Sequence, residues 1–131
     1  MIVSSASFLR KVLLVDAATC VGAGALMSFG SGTLGPLLNV PSALLLEAGI
    51  VLFPVAAFIA FVATRARLSA AAVWIVIVGN VLWIGGSVWV MTGGMLAPNA
   101  FGHSFVAGQA VAVAVLAFLE YKGVTHVTRA A

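Results

Sequence analysis

Three acids, Asp16, Glu47 and Glu120, and two amides, Asn80 and Gln109, lie within apolar runs of this chain, and these five side chains are its best candidates for chemistry. Asp16 is the most informative. An ionised carboxylate that deep in hydrocarbon costs on the order of 3 kcal/mol on insertion scales, so it needs a partner or a proton. One reading makes it a proton or cation relay. The other makes it a structural carboxylate satisfied by Ser69, by the Trp74 indole, or by Arg65 or Arg67 reaching inward. Its helix face continues through Thr19, Cys20, Ala23, Gly24 and Met27, small or weakly polar residues that let a neighbouring helix come close. Asp16 is therefore expected to point into a bundle.

The other four candidates read more conservatively. Glu47 falls one to two turns after a helix entry, where the helix dipole favours an acid. Glu120 stands beside Tyr121 and Lys122 at the end of an apolar run, so solvation at the membrane interface accounts for it. Asn80 and Gln109 both fall near the bilayer midplane by residue count and are expected to face inward, where they could pair. Such a pair contributes about 0.6 to 2 kcal/mol and mainly fixes helix register. Gln109 shares its face with Gly102, Phe105, Ala112, Leu116 and Glu120, and Asn80 shares its face with Val73, Val76, Trp83 and Ser87.

The elements that must position these groups are apolar. The chain has 131 residues, 63% of them hydrophobic, with only six basic and three acidic side chains and a mean hydropathy of +1.25. Four runs, about 8–29, 42–64, 69–91 and 100–121, match the ~20 residues needed to cross a ~30 Å hydrocarbon slab. The expected fold is all-α, a single transmembrane domain over 1–131 forming an up-down-up-down four-helix bundle. The first run follows Arg10 and Lys11 and could be taken for a signal peptide, but its length and Asp16 argue for a retained helix. Gly30-Ser31-Gly32 ends it in a turn. The segment 33–41, broken by Pro36 and Pro41, is expected to be an interfacial loop with a half-turn of helix. Pro54 lies inside the second run and removes one helical hydrogen bond.

Every Lys and Arg falls on one side of this layout: Arg10 and Lys11, then Arg65 and Arg67, then Lys122 and Arg129. The positive-inside rule places both termini in the cytoplasm and argues against insertion in two orientations. Trp74 and Trp89 sit near opposite membrane interfaces, while the deeper Trp83 reads as a packing residue.

The remaining chemistry is sparse. Cys20 has no partner for a disulfide or a cysteine metal cluster. His103 and His126 are separated by most of the membrane and cannot jointly hold a haem. No zinc spacing, nucleophile elbow, Walker or dinucleotide fingerprint is present, so no cofactor, metal or catalytic residue is expected. Six basic residues in short loops do not make a nucleic-acid surface. Small-residue pairs, Ser104 with Gly108 and Ala110 with Ala114, permit close helix contact within the bundle or with another chain.

The segments FLRKVLLVDAATCVGAGALM, LGPLLNVPSALLLEAGIVLFPVAAFIAFVATR and AAVWIVIVGNVLWIGGSVWV together resemble small, uncharacterised four-span integral membrane proteins of bacteria, loosely DoxX-like. The resemblance covers nearly the whole chain and implies a bacterial inner membrane, with no catalytic residue carried over. The function expected is a non-enzymatic binding, assembly or accessory subunit that contacts other membrane proteins or a second copy. The alternative is a small proton- or cation-coupled transporter or channel built on Asp16. A quinone- or haem-using redox subunit is a third, weaker reading.

Overall fold

The computed structural model describes the backbone of residues 4–130 and the side chains of 6–126. It contains five helices: α1 Ser4–Phe29, α2 Ser31–Leu38, α3 Ser42–Thr64, α4 Ala70–Thr92 and α5 Ala100–Ala130, and no strand among the described residues. Four of them, α1, α3, α4 and α5, are long and apolar enough to cross a membrane. Their outward faces are apolar too: Ile75, Leu82, Val111 and Phe118 are all more than half exposed. In water such faces would be a severe liability, whereas against lipid tails they are at home. The chain is a multi-pass membrane protein with an all-α four-helix bundle.

Two boundaries differ from those expected. The segment after α1 is a full eight-residue helix, with Pro36 inside it and Asn39 in the left-handed conformation (φ 57°) closing it. The Gly30 carbonyl accepts from the amides of Thr33 and Leu34, so the expected turn is the start of α2. The fourth crossing helix does not stop at Tyr121 but continues to Ala130. Nothing between those residues breaks a helix except Gly123, and Gly123 is buried where α5 passes the Leu9 side chain of α1. The side chain of Arg129 lies outside the described residues.

The two ends of the bundle are tied differently. At one, the Arg10 guanidinium donates to the carbonyls of Ala63 and Arg65, placing a cation on the C-terminus of α3. Arg65 lies over the Phe61 ring and Lys122 over the Phe118 ring. At the other, two asparagines stitch the α2 hairpin to the entry of α5. The Asn39 side chain donates to the Ala97 carbonyl (2.6 Å) and the Asn99 side chain donates to the Leu37 carbonyl (2.8 Å). Asn99 Oδ1 also caps α5 by accepting from the Gly102 amide at 2.9 Å. Asn99→Ala removes both contacts. It is expected to destabilise the bundle by about 1–2 kcal/mol, the usual loss for an N-cap plus one further hydrogen bond, as read from the thermal midpoint in detergent. An unchanged midpoint would show that this end is held by packing alone.

The helices pack in a row. α3 lies along α1, α1 along α5, and α5 along α4, whereas α4 and α3 barely touch. The closest approach is between α1 and α3, where Gly24 faces Gly49. A Cβ on Gly49 would stand 2.8 Å from the Ser28 amide nitrogen and 3.0 Å from the Gly24 carbonyl oxygen. Toward the basic end the interior is solid, with Leu9, Leu13, Ile59, Ala63, Val73 and Val124 almost fully buried. Further along, the loose seam between α3 and α4 opens into a cavity.

Candidate functional site

Asp16, Asn80 and Glu120 arrive from α1, α4 and α5 and meet inside the bundle. They are 2%, 8% and 0% exposed, so their polar atoms have only one another and near neighbours to bond. The Asn80 Nδ2 donates to Asp16 Oδ2 at 3.0 Å and to Glu120 Oε1 at 2.9 Å. An amide nitrogen carries two hydrogens, and each serves one acid. The second Asp16 oxygen, Oδ1, accepts from the Cys20 thiol at 3.8 Å, a weak bond one helical turn along α1. The second Glu120 oxygen, Oε2, is buried without a hydrogen-bond partner.

This arrangement corrects three expectations. Asp16 is not satisfied by Ser69, Trp74, Arg65 or Arg67. Ser69 caps α4 by accepting from the Ala72 amide, Trp74 packs edge-on against Tyr121 with ring centroids 5.7 Å apart, and Arg65 and Arg67 are exposed near the basic end. Glu120 is not an interfacial, solvated acid, because α5 runs a further ten residues past it and turns its side chain inward. Asn80 and Gln109 do not pair. Both face inward as expected, but Asn80 is committed to the two acids.

Gln109 instead forms a second polar group one to two turns farther from the basic end. The Trp83 indole donates to Gln109 Oε1 at 2.5 Å, and Gln109 Nε2 donates to Ser87 Oγ and to the Val106 carbonyl, both at 2.8 Å. The Ser87 hydroxyl donates back to the Trp83 carbonyl at 2.9 Å. Trp83 is therefore more than a packing residue. It and Ser87 share the Asn80 face at helical spacing, which is the signal that placed them here. Glu47 is exposed on the half of α3 farther from the basic end and takes no part in either group. His103 is also exposed. Among the described residues, no group of three or more His, Cys, Asp or Glu side chains is placed to hold a metal ion.

Both polar groups look onto one cavity of about 440 Å³. Asp16 and Asn80 form its polar wall on one side and Gln109 on another, with Cys20, Leu52, Ile59, Val76 and Phe105 among the apolar surfaces between them. Its mouth lies at the loose seam, where the lining residues Pro54, Val55 and Phe58 of α3 and Ile75 and Gly79 of α4 are exposed. These residues fall in the middle portions of two crossing helices, so the mouth opens at the level of the lipid tails. Pro54 contributes here because it has no amide hydrogen to give the Ile50 carbonyl, which leaves α3 less tightly bonded beside the opening.

Neither a protein-family model, nor a curated protein, nor a solved structure matches this chain. Its function must be read from the site.

Proposed function

We propose that this chain is a non-enzymatic binding protein of the bacterial inner membrane, with both termini in the cytoplasm, that holds a lipid-soluble molecule in the cavity between α3 and α4. The observation that carries this reading is the cavity itself: a largely apolar space of about 440 Å³, open on one side toward lipid, with two polar groups at fixed positions on its walls. Ligand sites have this composition, mostly apolar with a few convergent polar groups that fix orientation, and this size. The six basic residues, all on one side of the layout, support this placement of the termini.

Gly79 offers a clean test. It lines the mouth, and a Cβ built on it meets no atom within 4 Å. Gly79→Phe therefore adds a ring to open space and should fold normally while blocking the cavity. Native mass spectrometry of the protein released from its own membrane is expected to show a small-molecule adduct on the wild type and its loss in Gly79→Phe. An adduct retained undiminished by a folded Gly79→Phe protein would overturn the assignment of the cavity.

A second reading, proton or cation passage, is favoured by Glu120. Asn80 bridges two carboxyls that come from different helices, Asp16 on the cavity wall and Glu120 behind it, which makes a short polar path through the bundle. Glu120 sits nearer the basic end than Asp16 does, as the packing of Gly123 on Leu9 fixes. A proton taken up at the cavity wall thus has its next station on the cytoplasmic side. In this reading the binding protein is also the carrier.

A further inference from the structure

The cavity's electrostatics point to the class of molecule it takes, an inference that rests on reading the cavity as a binding site. Its lining contains one acid, Asp16, and no Lys, Arg or His. Behind Asp16 stands the second carboxyl, Glu120, fully buried and with an oxygen that has no partner. Among the described residues the hydrogen bonds that reach these two acids come from Asn80 and Cys20, not from a cation. Two buried acids without a counter-cation are a costly arrangement in hydrocarbon. Among the described residues no cation reaches Asp16, so a positive charge to balance it would come from a bound molecule.

The walls narrow the choice. Three aromatic rings, Phe58, Trp83 and Phe105, line the same space. An anion would meet a carboxylate and ring faces that carry negative charge density. A neutral apolar molecule would cover Asp16 without offering it a bond. A metal ion would find one carboxyl, Asp16, and two amides, Asn80 and Gln109, among mostly apolar walls, short of the oxygen shell that hard cations require. An organic cation with apolar substituents uses every part of the site, because rings attract the charge, alkyl walls cover the substituents and Asp16 neutralises it.

We propose that the cavity binds a lipophilic organic cation, admitted from the lipid through the seam between α3 and α4. Its positive centre is held against Asp16, and Asn80 keeps that carboxylate in place.

The test uses three probes of nearly equal size and opposite or no charge: tetraphenylphosphonium, tetraphenylborate and neutral tetraphenylmethane. Each is titrated into the full-length protein in lipid nanodiscs, with empty nanodiscs as the baseline. The phosphonium is expected to bind saturably, one per chain, and the other two only as they bind lipid. Asp16→Asn should weaken phosphonium binding at least about tenfold, equivalent to roughly 1.4 kcal/mol, and Gly79→Phe should abolish it. If all three probes bind alike and are lost together in Gly79→Phe, the cavity is a binding site but its charge preference is refuted. Saturable phosphonium binding that survives in Gly79→Phe would place the probe elsewhere and refute both readings. No saturable phosphonium binding at all refutes the cation class, while the adduct experiment above still decides the cavity. Should Asp16→Asn fail to fold, the comparison of the three probes on the wild type decides by itself.

Discussion

Asn80→Leu is expected to be the most damaging single change within the polar cluster, more so than replacing either acid by its amide. Asn80 spends both hydrogens of its Nδ2 on buried carboxyls, so its loss breaks two hydrogen bonds and strands two acids rather than one. A net hydrogen bond between membrane helices is worth about 0.6 to 1.7 kcal/mol, and an orphaned buried acceptor adds a desolvation penalty. Together these give about 2–4 kcal/mol. The measurement is reversible unfolding in mixed detergent, with helicity as the signal. Asp16→Asn keeps the shape and a hydrogen-bonding group and should be milder, while Asp16→Leu leaves one Asn80 hydrogen unused and should fall between. The diagnostic variant is the double change, Asn80→Leu with Glu120→Leu. Removing the stranded acid is expected to recover part of the loss, a coupling that appears only for groups in one network. A purely additive double variant would show that Asn80 is not the hub.

The class of the fold was legible because lipid imposes a simple rule. Any segment that crosses must be a long apolar helix, and four runs of the required length can be counted from the residues alone. Asp16, Asn80 and Gln109 were likewise recognisable as inward-facing, since exposure to lipid is the costliest alternative for each. What the residues did not reveal is which polar groups meet. Glu120 stands beside Tyr121 and Lys122, and that neighbourhood suggests an interface. Its true environment depends on how far α5 extends and how it rotates against α1, a tertiary fact set by Leu9 packing on Gly123. The pairing of Asn80 with Gln109 was a fair inference from equal depth. It failed because depth is one coordinate and rotation about each helix axis is another. The cavity had no sequence signature at all, since it arises from a seam where two helices do not pack.

That seam exists because α3 is held by α1 instead, and the contact that holds it gives the second large effect. Gly49→Val is expected to destabilise the bundle by about 3 kcal/mol or more, at the upper end of the range for overpacked interiors. The nearest atom, Ser28 Oγ at 2.6 Å, belongs to a side chain that can swing away, but the backbone behind it cannot. A Cβ on Gly49 would meet the Ser28 amide nitrogen at 2.8 Å and the Gly24 carbonyl oxygen at 3.0 Å, and those atoms belong to the hydrogen-bonded frame of α1. Relief requires α1 and α3 to separate. Gly22→Ala is the matched control: it lies on α1 two residues from Gly24, yet a Cβ there meets no atom within 4 Å. A helical glycine with that freedom gains about 0.5–1 kcal/mol on becoming alanine, so this variant should be neutral or slightly more stable. The pair separates close approach from helix propensity. The same displacement has a functional consequence, because Pro54 and Phe58 on α3 line the same cavity as Asp16 and Asn80. Moving α3 outward by the width of a methyl group widens the mouth and takes Phe58 away from the charge-bearing wall. Gly49→Val should therefore lose ligand along with stability, whereas Gly22→Ala should retain both. A Gly49→Val protein with wild-type unfolding and wild-type phosphonium binding would show that the α1–α3 contact neither secures the bundle nor shapes its cavity.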